Sequence, residues 1–362
     1  QPGWALPTRS GVATFSAIAY CFAKNLSEAL GYTVGIINCN WGGTKIQSWM
    51  PLHRLLAHED TTRDVLGYRD LRQSLSELER RRLFFAFQHS VQAVEEKHPH
   101  YIECSLSNPK WYADLDKEVA HMPEGAYGDH QEPGVLFEHM VSRIAPYALS
   151  GFLWYQGESN TMASDAFRYA SLFARMREEW LDAWGDPDLP FLTCQLSAFD
   201  PYRWGNDFHW PELRKQQASC ANDLSNTHMV VTIDLGEESN IHPVRKREIA
   251  GRLSELALDR VYGKALTHSD PKPVSCVQSG DSYIVTFCEK IFHRGGEGLY
   301  FHARNTKIRS SMIQLNDFSL KVQPQAHAKY HAISYFEDVS WGQASLFGQN
   351  GYPVAPFRLP VS

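Results

Sequence analysis

Gly151-Phe152-Leu153-Trp154-Tyr155-Gln156-Gly157-Glu158-Ser159-Asn160 is the stretch that decides the fold. Its first half is apolar without alternation, the pattern of a short strand covered on both faces. Its second half turns polar at Gln156. Polar groups placed directly after a buried strand emerge at the strand's carboxyl end, where open parallel sheets bind ligands.

Working outward, the same sequence of elements recurs. Upstream, Phe15, Ile18, Ala19, Phe22, Leu26 and Leu30 repeat at helical spacing, and Gly31 stops the helix. Thr33–Cys39 then reads as a buried strand that ends in the turn Asn40-Trp41-Gly42-Gly43-Thr44. A long helix is expected from about Arg69 to Lys97, stopped by Pro99. Residues 99–133 show no clear period, and loops of that length are often functional. A helix near Gly134–Ile144 leads into the central stretch. Downstream come a helix from about Ser164 to Trp184, a strand Pro190–Leu196, a helix near Pro211–Ala221, a strand His228–Asp234 and a helix near Val244–Tyr262. Strands alternating with helices imply a parallel sheet with helices on both faces, an α/β body.

The texture changes after Lys264. Val274–Gln278 and Tyr283–Phe287 alternate as strands around Ser279-Gly280-Asp281-Ser282, and strand-like runs continue to Phe357. We therefore divide the chain into an α/β body, 1–264, and a smaller β-sandwich-like domain, 265–362.

Composition excludes several classes. The chain has 362 residues and a formal charge of −6, the wrong sign for a phosphate-backbone binder, so no nucleic-acid partner is expected. No run approaches the ~18 apolar residues of a membrane span. Ten Trp, 16 Tyr and 19 Phe supply apolar area enough for a core, which excludes a disordered chain. The seven cysteines form no CxxC pair and read as scattered thiols. The opening Gln1-Pro2-Gly3-Trp4 reads as an interior start. Compartment (cytoplasmic, periplasmic or secreted) and oligomeric state stay open.

Three strand ends carry unusual residues. Paired glycines in Asn40–Thr44 let a main-chain N–H approach a ligand closely, as an oxyanion site needs; an ordinary turn is the plain alternative. Gln156 can aim an amide donor at the same place, whereas Ser159 or Asn160 can equally cap a helix. His242, in Ile241-His242-Pro243, lies between a strand and a helix, where an imidazole can act as general base. Trp41, Trp49 and Trp204 offer flat faces for a sugar. The pairs His98/His100 and His327/His331 lack a third ligand at a recognised spacing, so no metal site is expected.

Taken in order, these segments resemble the sialate O-acetylesterase family of SGNH-type hydrolases. The matching strings are Phe15-Ser16-Ala17, Asn40-Trp41-Gly42-Gly43-Thr44, Trp154-Tyr155-Gln156-Gly157-Glu158-Ser159-Asn160, Trp210-Pro211-Glu212-Leu213-Arg214 with Gln217, and Ile241-His242-Pro243 with Lys246. Gly351-Tyr352-Pro353 and Pro356-Phe357-Arg358 complete the set. The resemblance implies a three-layer α/β/α sandwich with an added β-domain, and hydrolysis of acetyl esters on sugars, typically O-acetylated sialic acids. By position, His242 is then the base, Gly42 the main-chain oxyanion donor and Gln156 the side-chain donor, with Glu158 and Asn160 bracing the loop. No cofactor is expected.

Two departures from the family pattern follow. The family's nucleophile sits in a Gly-Gln-Ser-Asn-Met segment upstream of the Phe-Ser-Ala helix, which this sequence does not include. Ser159, Ser282 and the Ser105-Leu106-Ser107-Asn108 stretch are poor substitutes by their place in the order. The position two before the histidine, usually Asp, is Asn240, which can accept a hydrogen bond but carries no charge, so Asn240, a main-chain carbonyl, Asp234, Glu237 or Glu238 is expected to orient His242, or the base is weaker. An acetylxylan or other sugar acetylesterase and a non-catalytic carbohydrate-binding relative are the rival readings.

Overall fold

Strand β1 (Phe152–Trp154) pairs in parallel with β2 (Phe191–Cys194), and β2 with β3 (Thr227–Val230), in the order β1-β2-β3. The coordinates are a computed structural model, which describes residues 3–8, 11–12, 15–98, 118, 120, 128–201, 207–264, 271–295, 298–304 and 306–362. β2 is the central strand, and all four of its residues are buried.

Its alternate side chains feed two cores, as the two-residue period of a strand requires. Leu192 and Cys194 pack with Phe22 and Leu26 of α1 (Ala17–Leu30) and with Leu253 and Leu256 of a helix at Lys246–Arg260. Phe191 packs with Phe152, Trp154, Phe173 and Trp180 on the other face. The sheet therefore has helices on both faces. Burying a side chain such as Phe191 contributes roughly 1.5–3 kcal/mol, and truncating it to Ala costs about 3–5.

The helices begin and end where capping chemistry allows. The Ser16 hydroxyl accepts the Ala19 N–H at 3.3 Å, and Gly31 closes α1 in the left-handed region. The single helix expected over 69–97 is two, α2 (Glu59–Gln73) and α3 (Glu77–Lys97). Ser76 and Glu79 form a reciprocal capping box that starts a new helix. Near 134–144 the chain forms a π-turn, Phe137–Val141, continued by Ser142–Ile144. The helix expected over 164–184 is a short turn, Ala163–Ala166, followed by α4 (Tyr169–Trp184). After it come α5 (Trp210–Asp223) and α6 (Lys246–Arg260).

One expected strand is not formed. Residues 33–39 have no strand partner among the described residues, and β1 is an edge of its sheet. An apolar run becomes a strand only when a neighbour takes up its N–H and C=O groups. Here the run and β1 instead line a common groove.

Beyond residue 271 the chain is antiparallel. The strands are β4 (Pro273–Ser279), β5 (Ser282–Phe287), β6 (Ile291–His293), β7 (Leu299–Ala303), β8 (Thr306–Asn316), β9 (Ser319–Pro324), β10 (Ala332–Tyr335), β11 (Leu346–Gly348) and β12 (Phe357–Pro360). Seven of them form a sheet in the order β12-β10-β7-β8-β9-β5-β4, and β11 pairs with β6. Its two outer edges meet, because Ser362, just beyond β12, donates its N–H to the Cys276 carbonyl and accepts the Gln278 N–H, both of β4, at 3.0 Å. This part touches the α/β body close to the strand ends: the Phe199 N–H donates to the Ser340 carbonyl at 3.0 Å, and the buried Arg214 of α5 donates to the Val339 carbonyl.

Candidate active site

The turn after the 33–39 run is held from beneath. Gly43 has φ +70°, which favours glycine, and the Thr44 hydroxyl donates to the Trp41 carbonyl at 2.9 Å. The Trp49 indole N–H donates to that hydroxyl at 2.9 Å, and the Gln131 amide donates to the Gly43 carbonyl at 2.8 Å. Gly42 itself faces open space: a Cβ there would meet nothing within 4 Å.

The loop after β1 is more tightly bound. Gly157 has φ +152°, and a Cβ there would fall 2.5 Å from Leu213 Cδ2. Glycine therefore lets the loop press onto α5. Both polar atoms of the Gln156 side chain, and its main-chain carbonyl, are bound. Its Nε2 donates to the Thr44 carbonyl at 3.0 Å and to Asn160 Oδ1 at 2.7 Å. Its Oε1 accepts from the Tyr169 hydroxyl at 2.8 Å, and its main-chain carbonyl accepts from Gln217 Nε2 at 3.0 Å. Asn160, fully buried, also accepts the Ile46 N–H at 2.9 Å and donates to Gln47 Oε1 at 3.0 Å. Glu158 is half-buried in the same loop. Burial raises its pKa, against the main-chain N–H groups of Glu158 and Gly157 and the charge of Lys246.

His242 lies at the rim of the groove. Asn240 does not reach its ring but holds its main chain: Oδ1 accepts the His242 N–H at 3.0 Å, and Nδ2 donates to the His242 carbonyl at 2.8 Å. The same Nδ2 donates to Glu237 Oε2 at 2.9 Å. Asp234 is engaged elsewhere, in a two-oxygen pair with Arg252, one bond of which is 2.7 Å. It does not orient His242. His242 is exposed as a residue, yet desolvation lowers the pKa of its imidazole, with the Lys246 charge second.

Trp41, Gly42, Gln156, Glu158 and His242 line one groove of about 740 Å³. Trp41 is half exposed and stacks on His130, with centroids 4.9 Å apart and planes at 15°. It keeps a face open. Trp49 does not: only 4% exposed, it sits edge-on to Trp154 in the core, so it offers no face to a sugar. Trp204 lies outside the described residues, as do His100 and Ser105–Asn108. No group of three metal-ligating side chains occurs among the described residues, and no helix among them is long and apolar enough to cross a membrane.

Thr44 was quoted only within its motif, and Tyr169, Gln47 and His130 were not singled out from sequence. Nothing in their local strings marks them, because each acts through a contact far along the chain. Gln217 and Lys246 were quoted only as parts of motifs, without a role.

Residues 125–254 match the sequence profile of the family described as carbohydrate esterase, sialic acid-specific acetylesterase. The chain is similar to the sialate O-acetylesterase of Mus musculus, 27% identical over 292 residues that cover 75% of this chain and 48% of that protein. The Homo sapiens sialate O-acetylesterase is 24% identical over 292 residues, 75% of this chain and 45% of its own. The chain thus spans about half the length of the curated relatives it matches. In fold it is similar to a carbohydrate acetylesterase of Xanthomonas citri, with a TM-score of 0.69 and 24% identity, covering 98% of this chain and 68% of that one. The motif resemblance and the sequence matches concern one family.

Proposed function

We propose, from the match of residues 125–254 to the sialic acid-specific acetylesterases, that this chain is the body of a carbohydrate O-acetylesterase acting on O-acetylated sialic acids. The observation that carries the reading is convergence: Gly42, Gln156 and His242, from three segments far apart in sequence, line one groove beside the open face of Trp41.

The chemistry runs as acyl transfer through a serine. His242 takes the serine proton as the hydroxyl oxygen attacks the acetyl carbonyl, and the carbonyl oxygen becomes an oxyanion. The exposed Gly42 N–H is free to donate to it. Gln156 donates only by exchanging its bond to the Thr44 carbonyl or to Asn160, so its first contribution is to hold the two loops in register. Collapse of the intermediate returns the proton from His242 to the sugar oxygen, which leaves as the alcohol. Water, deprotonated by His242, then attacks the acetyl-serine; the serine oxygen leaves with the proton returned from His242, and acetate is released.

The serine of this scheme belongs to a segment outside the 362 residues. The groove supports that reading. β1 is an edge, the 33–39 run beside the groove has no strand partner among the described residues, and Phe22, Leu26, Leu153 and Leu253 line the space they share. One more parallel strand seated there would complete a larger doubly wound sheet, and its carboxyl end would arrive beside His242. A non-catalytic, carbohydrate-binding relative is the second reading, favoured by Asn240 in place of the usual Asp. Acetate release by the full-length protein from O-acetylated sialic acid and from acetylated xylan separates the readings. No acetate from either, in a folded sample, refutes the esterase.

A further inference from the structure

Gln47 lies in a helical turn, Ile46–Trp49, just beyond Thr44, and its buried side chain is bonded at both ends. Its Oε1 accepts from Asn160 Nδ2 at 3.0 Å. Its Nε2 donates to Asp165 Oδ1 at 2.9 Å and to Asp64 Oδ2 at 3.1 Å. Asp165, only 2% exposed, stands in the short turn Ala163–Ala166, and Asp64 stands on α2. Arg168 pairs with both carboxylates, at 2.7 Å from Asp165 and 2.6 Å from Asp64, and Lys45 lies 3.5 Å from Asp165. Arg168 also reaches Asp60 at 3.5 Å, and Arg175 of α4 pairs with Asp60 at 3.0 Å.

Three carboxamides therefore run head to tail from this ionic cluster to the groove. A carboxylate only accepts hydrogen bonds, so the N–H end of Gln47 faces the cluster and its oxygen faces inward. That oxygen takes up Asn160 Nδ2, which leaves Asn160 Oδ1 for the Ile46 N–H at 2.9 Å and for Gln156 Nε2 at 2.7 Å. Gln156 in turn keeps its N–H end on the Thr44 carbonyl, in the turn that carries Gly42, and its Oε1 on the Tyr169 hydroxyl. Reversing Gln47 or Asn160 would set oxygen against oxygen at one end and N–H against N–H at the other. Both residues are buried, so neither mismatch is relieved by water.

We propose that Gln47 is a positioning residue of this site: it carries the acceptor-only face of the buried Asp165 through Asn160 to Gln156, and so keeps the N–H end of Gln156 on the side of the Gly42 turn. The inference rests on Gln156 serving the oxyanion, as proposed above, and is tested apart from it. A primary amide has a donor end and an acceptor end of nearly the same shape, and the wrong end would repel an oxyanion. An amide that also braces two loops needs its sense fixed from behind, and the relay does this with groups that never touch substrate.

The Gln156 side-chain amide is the first readout, so the 362-residue chain itself serves. Glutamine is labelled with nitrogen-15 at Nε2, and the Gln156 signal is identified by its loss in Gln156→Glu. In Gln47→Leu the Gln156 N–H groups should exchange with solvent about three- to tenfold faster than in the parent, one relay bond being lost. Gln47→Glu adds a pH signature that packing alone would not give. Among the described residues, the charged groups around position 47 are Asp64 of α2, Asp165 and Arg168 about the short turn, and Lys45 on its own turn. Ionised, the new carboxyl has no donor for the two aspartates; protonated, its O–H replaces the lost N–H. The exchange rate, taken relative to the parent at the same pH, should therefore fall back toward one as the solution is acidified.

Parent-like exchange in a folded Gln47→Leu protein, or a ratio for Gln47→Glu that does not change with pH, overturns the proposal. Should Gln47→Leu fail to fold, Gln47→Glu decides alone. In the full-length protein, Gln47→Leu should lower kcat for acetate release by a similar factor and leave KM nearly unchanged, and a parent-like kcat there overturns the proposal too. If the parent itself releases no acetate, the esterase reading fails, and the amide measurement still decides the relay.

Discussion

The carboxamide of Asn240 grips the main chain of His242 from both sides, its Oδ1 accepting the N–H at 3.0 Å and its Nδ2 donating to the carbonyl at 2.8 Å. The residue two before His242 thus shapes the turn and leaves the imidazole to other influences. That arrangement explains how the site tolerates an uncharged side chain where a relay would place a carboxylate.

Replacing it should be informative because Nδ2 also donates to Glu237. Asn240→Asp removes both donations and sets two carboxylates together, so the new carboxyl has a folded pKa above its unfolded value. Stability gained through its neutral form is present at low pH and lost as pH rises through the folded pKa. Melting curves should show a variant close to the parent near pH 4 and weaker by about 1–3 kcal/mol at neutral pH. A deficit that does not change with pH would contradict the two-donor arrangement.

A lowered His242 pKa has a kinetic counterpart. If His242 is the base, as proposed, the neutral ring is the competent form, and kcat/KM for the proposed ester hydrolysis by the full-length protein should rise with pH through a midpoint below the ordinary value of 6.5 and then level off. The same group costs stability as pH falls, since the unfolded chain binds its proton more readily. An acid limb centred above 6.5 would show that burial and Lys246 do not govern the base.

Gln156 joins three elements, so its loss should act on more than one quantity. Gln156→Ala should lower kcat by about 10²–10³ if the amide reaches the oxyanion, and should also lower the melting temperature by freeing Thr44 and Asn160. A large stability loss with near-normal kcat in the surviving enzyme would confine Gln156 to bracing.

The groove makes a comparative prediction. Leu153 lies on β1 and lines the groove. If a strand from elsewhere in the full-length protein fills it, Leu153→Lys should destabilise that protein by about 2–4 kcal/mol. The same change should cost the 362-residue chain far less. Equal losses, measured by urea unfolding of both forms, would show that nothing seats there.

Much of this site was legible because its chemistry is written in short local strings. Gln156–Asn160 follows β1 directly and Ile241–Pro243 lies in the connection between β3 and α6, and such connections in a parallel sheet converge at one edge. The less legible parts depend on partners remote in sequence. Spacing suggested that Asp234 or Asn240 orients the base, but Arg252, eighteen positions on, takes the first, and the second bonds main chain rather than ring. Trp49 resembled Trp41 as an aromatic in a loop-like context, yet Trp154 and Trp180 bury it. Residues 33–39 have the composition of a strand and lack a neighbour to pair with. The break at Ser76 was legible in principle, since Ser76 and Glu79 spell a capping box that an unbroken helical period obscured.

The most direct test of the proposed reaction is made on the full-length protein with O-acetylated sialic acid and a serine-directed covalent probe. Acetate should be released, His242→Ala should lose most of that activity, and the probe should label a serine outside the 362 residues. Undiminished turnover in His242→Ala, or label on Ser159, would contradict the assignment.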